Sequence, residues 1–274
     1  MTDLTTLPFD LPAVRRKKLT VDFAGGCQSS DGGLLLLREA ERELGICARL
    51  AACLADPRDP SRITHALVEL IRTRVLAICC GYEDGNDLDR LRHDPLLKLA
   101  AGRCPESGAP LASQSTISRL ENMPDRKQAA RLTAALVDQF CASFKTPPAA
   151  ITLDIDDTLD RVHGGQQLSF WNAHHDERCF LPVHIYHVAS GKPVAMILRP
   201  GRTPSGREVR TILKHVTRRI RRHWPRVRIL WRGDSHYGRD EAMAWCERHA
   251  CDFIFGFQGN SALDARVAEA ADAI

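Results

Sequence analysis

Three aspartates lie close together at residues 153–158, within an otherwise apolar run. In an extended strand alternate residues share a face, so Asp154 and Asp156 lie on one face and the apolar residues lie on the other. Carboxylates this close repel one another unless a cation lies between them, and a hard cation with oxygen ligands, Mg²⁺ above all, suits the arrangement. The pattern predicts a metal site, and a solvated strand end is the competing interpretation.

A further aspartate, Asp234, follows an apolar stretch at residues 227–231. Open α/β sheets commonly place functional groups at the carboxyl ends of their strands. If this strand lies beside the one that carries Asp156, the two carboxylates meet and can hold two ions, Mg²⁺ or Mn²⁺ in its place. Two metals about 4 Å apart activate an attacking oxygen and stabilise a leaving one at phosphorus. Asp156, Asp154 and Asp234 are thus predicted to be catalytic, metal-binding residues in polynucleotidyl transfer.

The densest positive segment lies between these acids, at residues 207–232, where Glu208 is the only acid. A helix is predicted to begin at Ser205, which forms a capping-box pattern with Glu208, and to end at His223. Apolar and basic residues form separate stripes, so one face packs on the sheet and the other meets phosphates, unless it is an ordinary solvated face. The residues predicted here to contact DNA are Arg207, Arg210, Lys214, Arg218, Arg221 and Arg222.

A strand-rich second half must position these residues, and it follows a helical first half. Apolar residues three and four apart predict the helices, whereas β-branched alternation and turn glycines predict the strands. We expect a mixed α/β chain with an all-helical domain at residues 1–148 and a catalytic domain at 149–274. The predicted helices of the first half span residues 34–44, 63–78, 87–100, 115–121 and 126–144. The predicted strands that follow span residues 149–156, 167–171, 181–188 and 194–198, before the order helix, strand, helix, strand.

The helical domain has a candidate DNA contact of its own. Ser115, Thr116 and Arg119 lie at the start of a predicted helix, which suits contacts with phosphates and base edges, although an ordinary capped helix explains them equally well. The basic run at residues 15–18 is either a DNA grip or a solvated arm. Residues 174–177 include metal-ligand types, but contiguous residues rarely converge on one ion.

Composition sets the class of protein. The 274 residues are 44% hydrophobic and 26% charged, which is typical of a globular protein. No apolar run approaches the roughly 18 to 20 residues of a membrane span, and no signal segment begins the chain, so we expect a cytoplasmic protein. The net charge of +4 is too small to indicate nucleic acid by itself.

Two other functions fit part of the pattern. Asp154, Asp156 and Thr158 have the spacing of the nucleophile motif of haloacid-dehalogenase-type phosphatases, in which Asp154 would accept a phosphoryl group and Asp156 would be a general acid. That fold has a parallel sheet, whereas successive strands without intervening helices are predicted here. A non-catalytic DNA-binding regulator is the third possibility.

Six ordered runs resemble transposases of bacterial insertion sequences, in the family numbered thirteen-eighty. They are residues 153–158 (LDIDDT), 179–182 (CFLP), 198–206 (LRPGRTPSG), 221–225 (RRHWP), 232–238 (RGDSHYG) and 245–247 (WCE). The resemblance implies an RNase H-like catalytic fold, with the first Asp on strand one and the second after strand four. It also implies Mg²⁺-dependent cleavage at the element's ends and strand transfer by the freed 3′-hydroxyl. The implied partners are terminal inverted repeats, target DNA and a second copy in a homodimer, with the protein at the bacterial nucleoid.

The chain departs from the family after Asp234. Such transposases carry a third acid, a Glu, in a later helix with a Tyr, Arg, Glu, Lys pattern, and no such pattern follows here. Glu241, Glu247 and Glu269 are the available acids, and none is assigned. We therefore expect a C-terminally truncated catalytic domain with doubtful activity. Asp154 and Asp156 both remain candidates for the first catalytic Asp, and Asp156 is preferred because it lies nearer the end of its strand.

Overall fold

The structure is a computed structural model, and it describes residues 28–257, 259 and 261–272. The basic run at residues 15–18 lies outside the described residues. The chain divides into two compact units between Gln128 and Ala129. The described part of the first unit is helical and the second is built on a mixed β-sheet, which confirms the predicted mixed α/β class.

A core of buried apolar side chains holds the helices of the first unit together. Leu70, Leu76, Leu88 and Ile117 are among its members. Such residues share one face of a helix because they recur three or four positions apart. The helices are α1 (Leu34–Leu44), α2 (Ile46–Ala51), α3 (Leu67–Cys79), α4 (Leu88–Leu91), α5 (Pro95–Ala100) and α6 (Gln114–Asn122).

The helix predicted over residues 87–100 is divided into α4 and α5. Pro95 has no backbone N–H and its ring excludes a preceding turn of helix, so a new helix begins there. The Asp94 side chain caps this helix by accepting a hydrogen bond from the Leu97 N–H at 2.8 Å. The break is therefore encoded locally by an Asp-Pro pair.

The second unit contains a five-stranded mixed sheet and a small three-stranded antiparallel sheet, whose strands lie within residues 160–180. The strands are β1 (Ala150–Asp157), β2 (Asp160–Arg161), β3 (Phe170–Asn172), β4 (Glu177–Phe180), β5 (Val183–His187), β6 (Lys192–Ile197), β7 (Arg228–Gly233) and β8 (Asp252–Phe255). The large sheet has the order β6-β5-β1-β7-β8, and the small one has the order β2-β4-β3. Strands β7 and β8 run parallel to β1, whereas β5 is antiparallel to both β1 and β6. This order is that of the RNase H-like fold, as predicted.

The first three helices of the second unit contribute buried side chains to the core on one face of this sheet. Val137 and Phe140 lie in the same buried core as Leu153 and Trp231. Their helix therefore belongs with the sheet, which is why the units divide near its start and not at Pro148, where the sequence predicts the boundary. The helices are α7 (Arg126–Ala142), α8 (Gly206–His223), α9 (Asp240–Arg248) and α10 (Ser261–Asp272).

The sheet has two contrasting faces. We call the face that carries Leu153, Ile155 and Trp231 the closed face, because these side chains are at most 1% exposed. The opposite face carries Asp154 and Asp156, and we call it the open face. The predicted alternation along β1 is therefore confirmed.

Exposed apolar side chains show the character of the open face. Met196 on β6 pairs with His184, which pairs with Asp156, so the three share a face. Ile254 on β8 pairs with Arg232 on that face. Met196 is 43% exposed and Ile254 is 60% exposed. The site residues on β1 therefore lie on a surface that the described residues leave uncovered.

Short elements account for most of the remaining differences from the prediction. The predicted hairpin is present as β5 and β6, whose connection includes Gly191 with φ 64°. Strands β2 and β4 are not predicted, because two to four residues are too few to show alternation. Among the described residues, no helix is long and apolar enough to cross a membrane.

Candidate active site

Asp156 and Asp234 lie side by side at the carboxyl ends of two neighbouring parallel strands. The register of β1 and β7 pairs Ile155 with Gly233, and each aspartate is the next residue on its strand. Both side chains therefore leave the sheet at the same edge, on the open face. The sequence predicted that the two carboxylates meet if their strands are adjacent, and β1 and β7 are adjacent.

The environment of Asp156 penalises its negative charge. Desolvation by the surrounding protein is the largest cause that raises its pKa, and the charges of Asp234 and Asp157 raise it further. A hydrogen bond from the Asp157 N–H to Asp156 Oδ1, at 2.8 Å, opposes this shift. The nearby His184 side chain also opposes the shift, but no arginine or lysine is paired with Asp156 among the described residues.

Asp154 has such a cation. Arg232 donates two hydrogen bonds to its carboxylate, from Nε to Oδ1 at 2.5 Å and from Nη2 to Oδ2 at 2.6 Å. The two residues are direct partners in the register of β1 and β7. The structure thus distinguishes two aspartates that the alternation along β1 leaves equivalent, since Asp154 is paired with Arg232 and Asp156 is not.

The turn after β7 fixes the position of Asp234. Its Oδ1 accepts a hydrogen bond from the His236 N–H at 2.8 Å, and its carbonyl accepts one from the Tyr237 N–H at 3.2 Å. A Cβ at Gly233 would lie 3.0 Å from the Ile155 carbonyl oxygen and 3.2 Å from the Tyr237 Cβ. Glycine therefore allows the turn to lie close against β1.

Asp157 is a residue that the sequence analysis set aside. Its side chain is only 12% exposed. Its Oδ2 accepts a hydrogen bond from the hydroxyl of the fully buried Tyr237 at 3.1 Å. His236 Nδ1 lies 3.7 Å from this oxygen and 3.9 Å from Asp234 Oδ2. The period-two pattern places Asp157 on the closed face. This position is the feature of the sequence that could have indicated a buried hydrogen-bond partner for Asp157.

Two carboxylates, and not a larger cluster, meet at this edge. Within residues 28–257, 259 and 261–272, no three His, Cys, Asp or Glu side chains are grouped so that they could hold a metal ion. A pair of neighbouring carboxylates still fits a hard divalent cation, which accepts oxygen ligands and keeps some of its water. At residues 174–177, Glu177 is paired with Arg161 at 3.0 Å.

The basic residues predicted on α8 fall into two groups. The first group lies on the exposed side of the helix, which Thr211 and His215 mark. The buried Val209, Leu213 and Ile220 lie on the opposite side. The same exposed stripe contains Arg207, Arg218 and Arg222, with Arg210 and Lys214 half-buried beside it.

Arg221 is not part of this stripe. Its guanidinium donates hydrogen bonds to the carbonyl oxygens of His249 and Ala250, both at 2.7 Å. These carbonyls follow the end of α9, where helix geometry leaves acceptors without intrahelical donors. In this structure Arg221 therefore holds α8 to the end of α9, a role that the spacing of basic residues could not distinguish from phosphate contact.

The candidate contacts of the first unit are close together on α6. Ser115 and Arg119 are exposed, and Arg119 Nη2 donates a hydrogen bond to Thr116 Oγ1 at 3.2 Å. The buried Ile117 and Leu120 anchor the opposite side of the helix. The three polar residues thus lie on one side of α6, with Ser115 and Thr116 near its start and Arg119 in its last turn.

The chain belongs to a known family. Residues 11–274 match the family described as transposase DDE domain group 1. The family consists of enzymes of the polynucleotidyl transferase type, so the predicted class of enzyme is confirmed. No curated protein sequence matches the chain. The phosphatase alternative does not fit, because β5 and β6 break the parallel arrangement that it requires.

Three solved transposase structures align with the chain at low identity. The piggyBac transposase synaptic complex with hairpin DNA is 12% identical, with 83% of this chain and 51% of that chain covered and a TM-score of 0.43. The Drosophila P element transposase strand transfer complex is 12% identical, with 65% and 40% covered and a TM-score of 0.30. The Mos1 mariner paired end complex with Mn is 10% identical, with 90% and 91% covered and a TM-score of 0.29. The chain spans about half of the piggyBac chain, at 51%.

Proposed function

We propose that the chain provides the catalytic domain of a transposase from a bacterial insertion sequence of the family numbered thirteen-eighty. Asp156 and Asp234 would hold Mg²⁺, as two ions that Mn²⁺ can replace, for DNA strand cleavage and 3′-hydroxyl transfer. The observation that carries the proposal is the register of β1 and β7, which sets these two carboxylates side by side on the open face. The charges of two neighbouring carboxylates repel each other, which suits a divalent cation between them.

The residues have distinct roles in this proposal. When bound, the divalent ions activate the attacking oxygen and stabilise the leaving oxygen at phosphorus. The Asp157 N–H orients Asp156, and the turn after β7 orients Asp234. Asp154, the other candidate ligand, is already paired with Arg232 and has a supporting role.

DNA is the proposed partner. The exposed stripe of α8, with Arg207, Arg218 and Arg222, would contact phosphates. The α6 surface of Ser115, Thr116 and Arg119 would contact the terminal inverted repeats or the target DNA. The piggyBac structure is a synaptic complex with hairpin DNA. We further propose that the protein forms a homodimer and acts at the bacterial nucleoid.

One observation favours a second candidate, a non-catalytic DNA-binding regulator. The described residues bring together a pair of acids and no group of three metal-ligand types. Two carboxylates hold a catalytic metal pair less completely than three, so we expect weak cleavage or none from these 274 residues alone. A regulator would bind end DNA equally well with and without Mg²⁺.

The test is an assay of the purified chain on DNA that carries the element's ends, with nicking and joining measured in Mg²⁺. The proposal expects weak Mg²⁺-dependent nicking that Asp234→Asn abolishes. Asp252→Asn is the matched control, because Asp252 is an exposed aspartate on the neighbouring strand β8. Nicking that survives Asp234→Asn would contradict the metal assignment. Strong nicking that Glu247→Gln abolishes would instead make Glu247 the third acid.

A further inference from the structure

A buried hydrogen bond lies on the closed face beneath the two candidate metal ligands. Tyr237 is fully buried, and its hydroxyl donates to Asp157 Oδ2 at 3.1 Å. Asp157 is the last residue of β1 and Tyr237 lies in the turn after β7. The bond therefore ties together the two chain segments that present Asp156 and Asp234.

Each partner in this bond is connected to one metal ligand through the backbone. The Asp157 N–H donates to Asp156 Oδ1 at 2.8 Å. The Tyr237 N–H donates to the Asp234 carbonyl at 3.2 Å. Movement of Tyr237 away from Asp157 would thus change the relative position of both carboxylates. The distance between the two ligands depends on a contact that neither of them makes.

The chemistry of the pair gives the bond its strength. A largely buried carboxylate needs a donor, because an unpaired buried charge is costly. Burial and the nearby Asp157 charge raise the pKa of Tyr237, so its hydroxyl stays protonated and donates. Gly233 allows the close approach, since a Cβ there would lie 3.2 Å from the Tyr237 Cβ.

We propose that Tyr237 and Asp157 are positioning residues whose hydrogen bond sets the spacing of Asp156 and Asp234 for a divalent cation. The inference rests on the proposed metal site. Tyr237, in the run at residues 232–238, and Asp157, in the run at residues 153–158, thus share one positioning role. Partners of metal ligands of this kind typically change metal affinity by 10- to 100-fold when they are removed.

The test measures Mn²⁺ binding by electron paramagnetic resonance, together with urea unfolding. In Tyr237→Phe, we expect Mn²⁺ affinity per folded molecule to fall about tenfold. Asp157→Asn removes the carboxylate charge and so weakens the hydrogen bond, and adding Tyr237→Phe to it should cost less affinity than Tyr237→Phe costs alone. Unequal costs of this kind identify a direct coupling between the two side chains.

A matched control separates positioning from general loss of a hydroxyl. Tyr82 donates a similar hydrogen bond to Asp31, at 2.9 Å in the first unit, and Tyr82→Phe should leave Mn²⁺ affinity unchanged. Wild-type Mn²⁺ affinity in folded Tyr237→Phe would overturn the inference while leaving the metal site intact. If the unmodified chain binds no Mn²⁺ at these residues, the proposed function fails first. The two failures are thereby distinguished.

Discussion

The closed and open faces of the central sheet differ in what they contain. The closed face buries Leu153, Ile155 and Trp231 under helices, whereas the open face carries Asp154, Asp156 and exposed apolar side chains. Burial of apolar area stabilises the fold, at roughly 25 cal/mol per Å². Of the two faces, the closed face therefore contributes more to the stability of the second unit. The open face holds charges where solvent and a substrate can reach them.

The largest expected effect comes from a cavity on the closed face. Trp231→Ala removes a side chain that is 0% exposed and donates to Thr217 Oγ1 at 3.2 Å. We expect the free energy of unfolding to fall by about 3–5 kcal/mol, measured by urea denaturation with circular dichroism. Ile254→Ala on the open face is the control and should change it by less than about 1 kcal/mol. Equal losses would remove the distinction between the faces.

Two arginines on α8, a helix that covers the closed face, are expected to have different roles, one in stability and one in DNA binding. Arg221→Ala should lower the free energy of unfolding by about 1–2 kcal/mol, because it removes two hydrogen bonds to the carbonyls of His249 and Ala250. Arg218→Ala should leave stability unchanged and reduce the slope of log affinity for DNA against log salt by roughly 0.9. Filter binding at several salt concentrations measures this slope. The division of α8 would be wrong if Arg221→Ala changed the slope and Arg218→Ala did not.

The alternation in residues 150–157 was sufficient to predict both faces, because period-two patterning depends only on local geometry. It could not distinguish Asp154 from Asp156, since the difference comes from Arg232 on another strand. The hydrogen-bond partner of Asp157 likewise could not be predicted from the local pattern, because Tyr237 is 80 residues away in sequence. Arg221 shows the same limit, as its carbonyl partners belong to a different helix end.

The covering helices also carry a pH-dependent contact. Burial of Asp138 raises its pKa, but hydrogen bonds from Arg219 and His223 outweigh this and lower it below the ordinary 3.8. A lowered folded-state pKa stabilises the protein above the unfolded pKa, and the stabilisation is lost as the pH falls through the folded value. Asp138→Asn should lower the free energy of unfolding by about 1 kcal/mol at pH 7. The difference between the two proteins should shrink as the pH falls below 3.8 and through the lower folded-state pKa, and a constant difference over that range would contradict the assignment.

The smallest expected effect is a gain in stability on the open face. Because its surroundings raise the pKa of Asp156, the ionised carboxylate opposes folding at neutral pH. Asp156→Asn should therefore raise the free energy of unfolding by a few tenths of a kcal/mol, roughly the size of a surface charge effect. Asp154→Asn should give no gain, since it breaks the pair with Arg232. Tryptophan fluorescence during urea unfolding reports on this unit, because all four tryptophans lie in it. A loss of stability in Asp156→Asn would show that its charge is already compensated.

Mn²⁺ titration of four proteins tests the central claim most directly: the unmodified chain, Asp156→Asn, Asp234→Asn and Asp154→Asn. Electron paramagnetic resonance of the free ion gives the affinity of each. The account predicts that Asp156→Asn and Asp234→Asn each weaken Mn²⁺ binding by about tenfold or more, and that Asp154→Asn retains most of it. Wild-type affinity in Asp156→Asn, or an equal loss in Asp154→Asn, would contradict it.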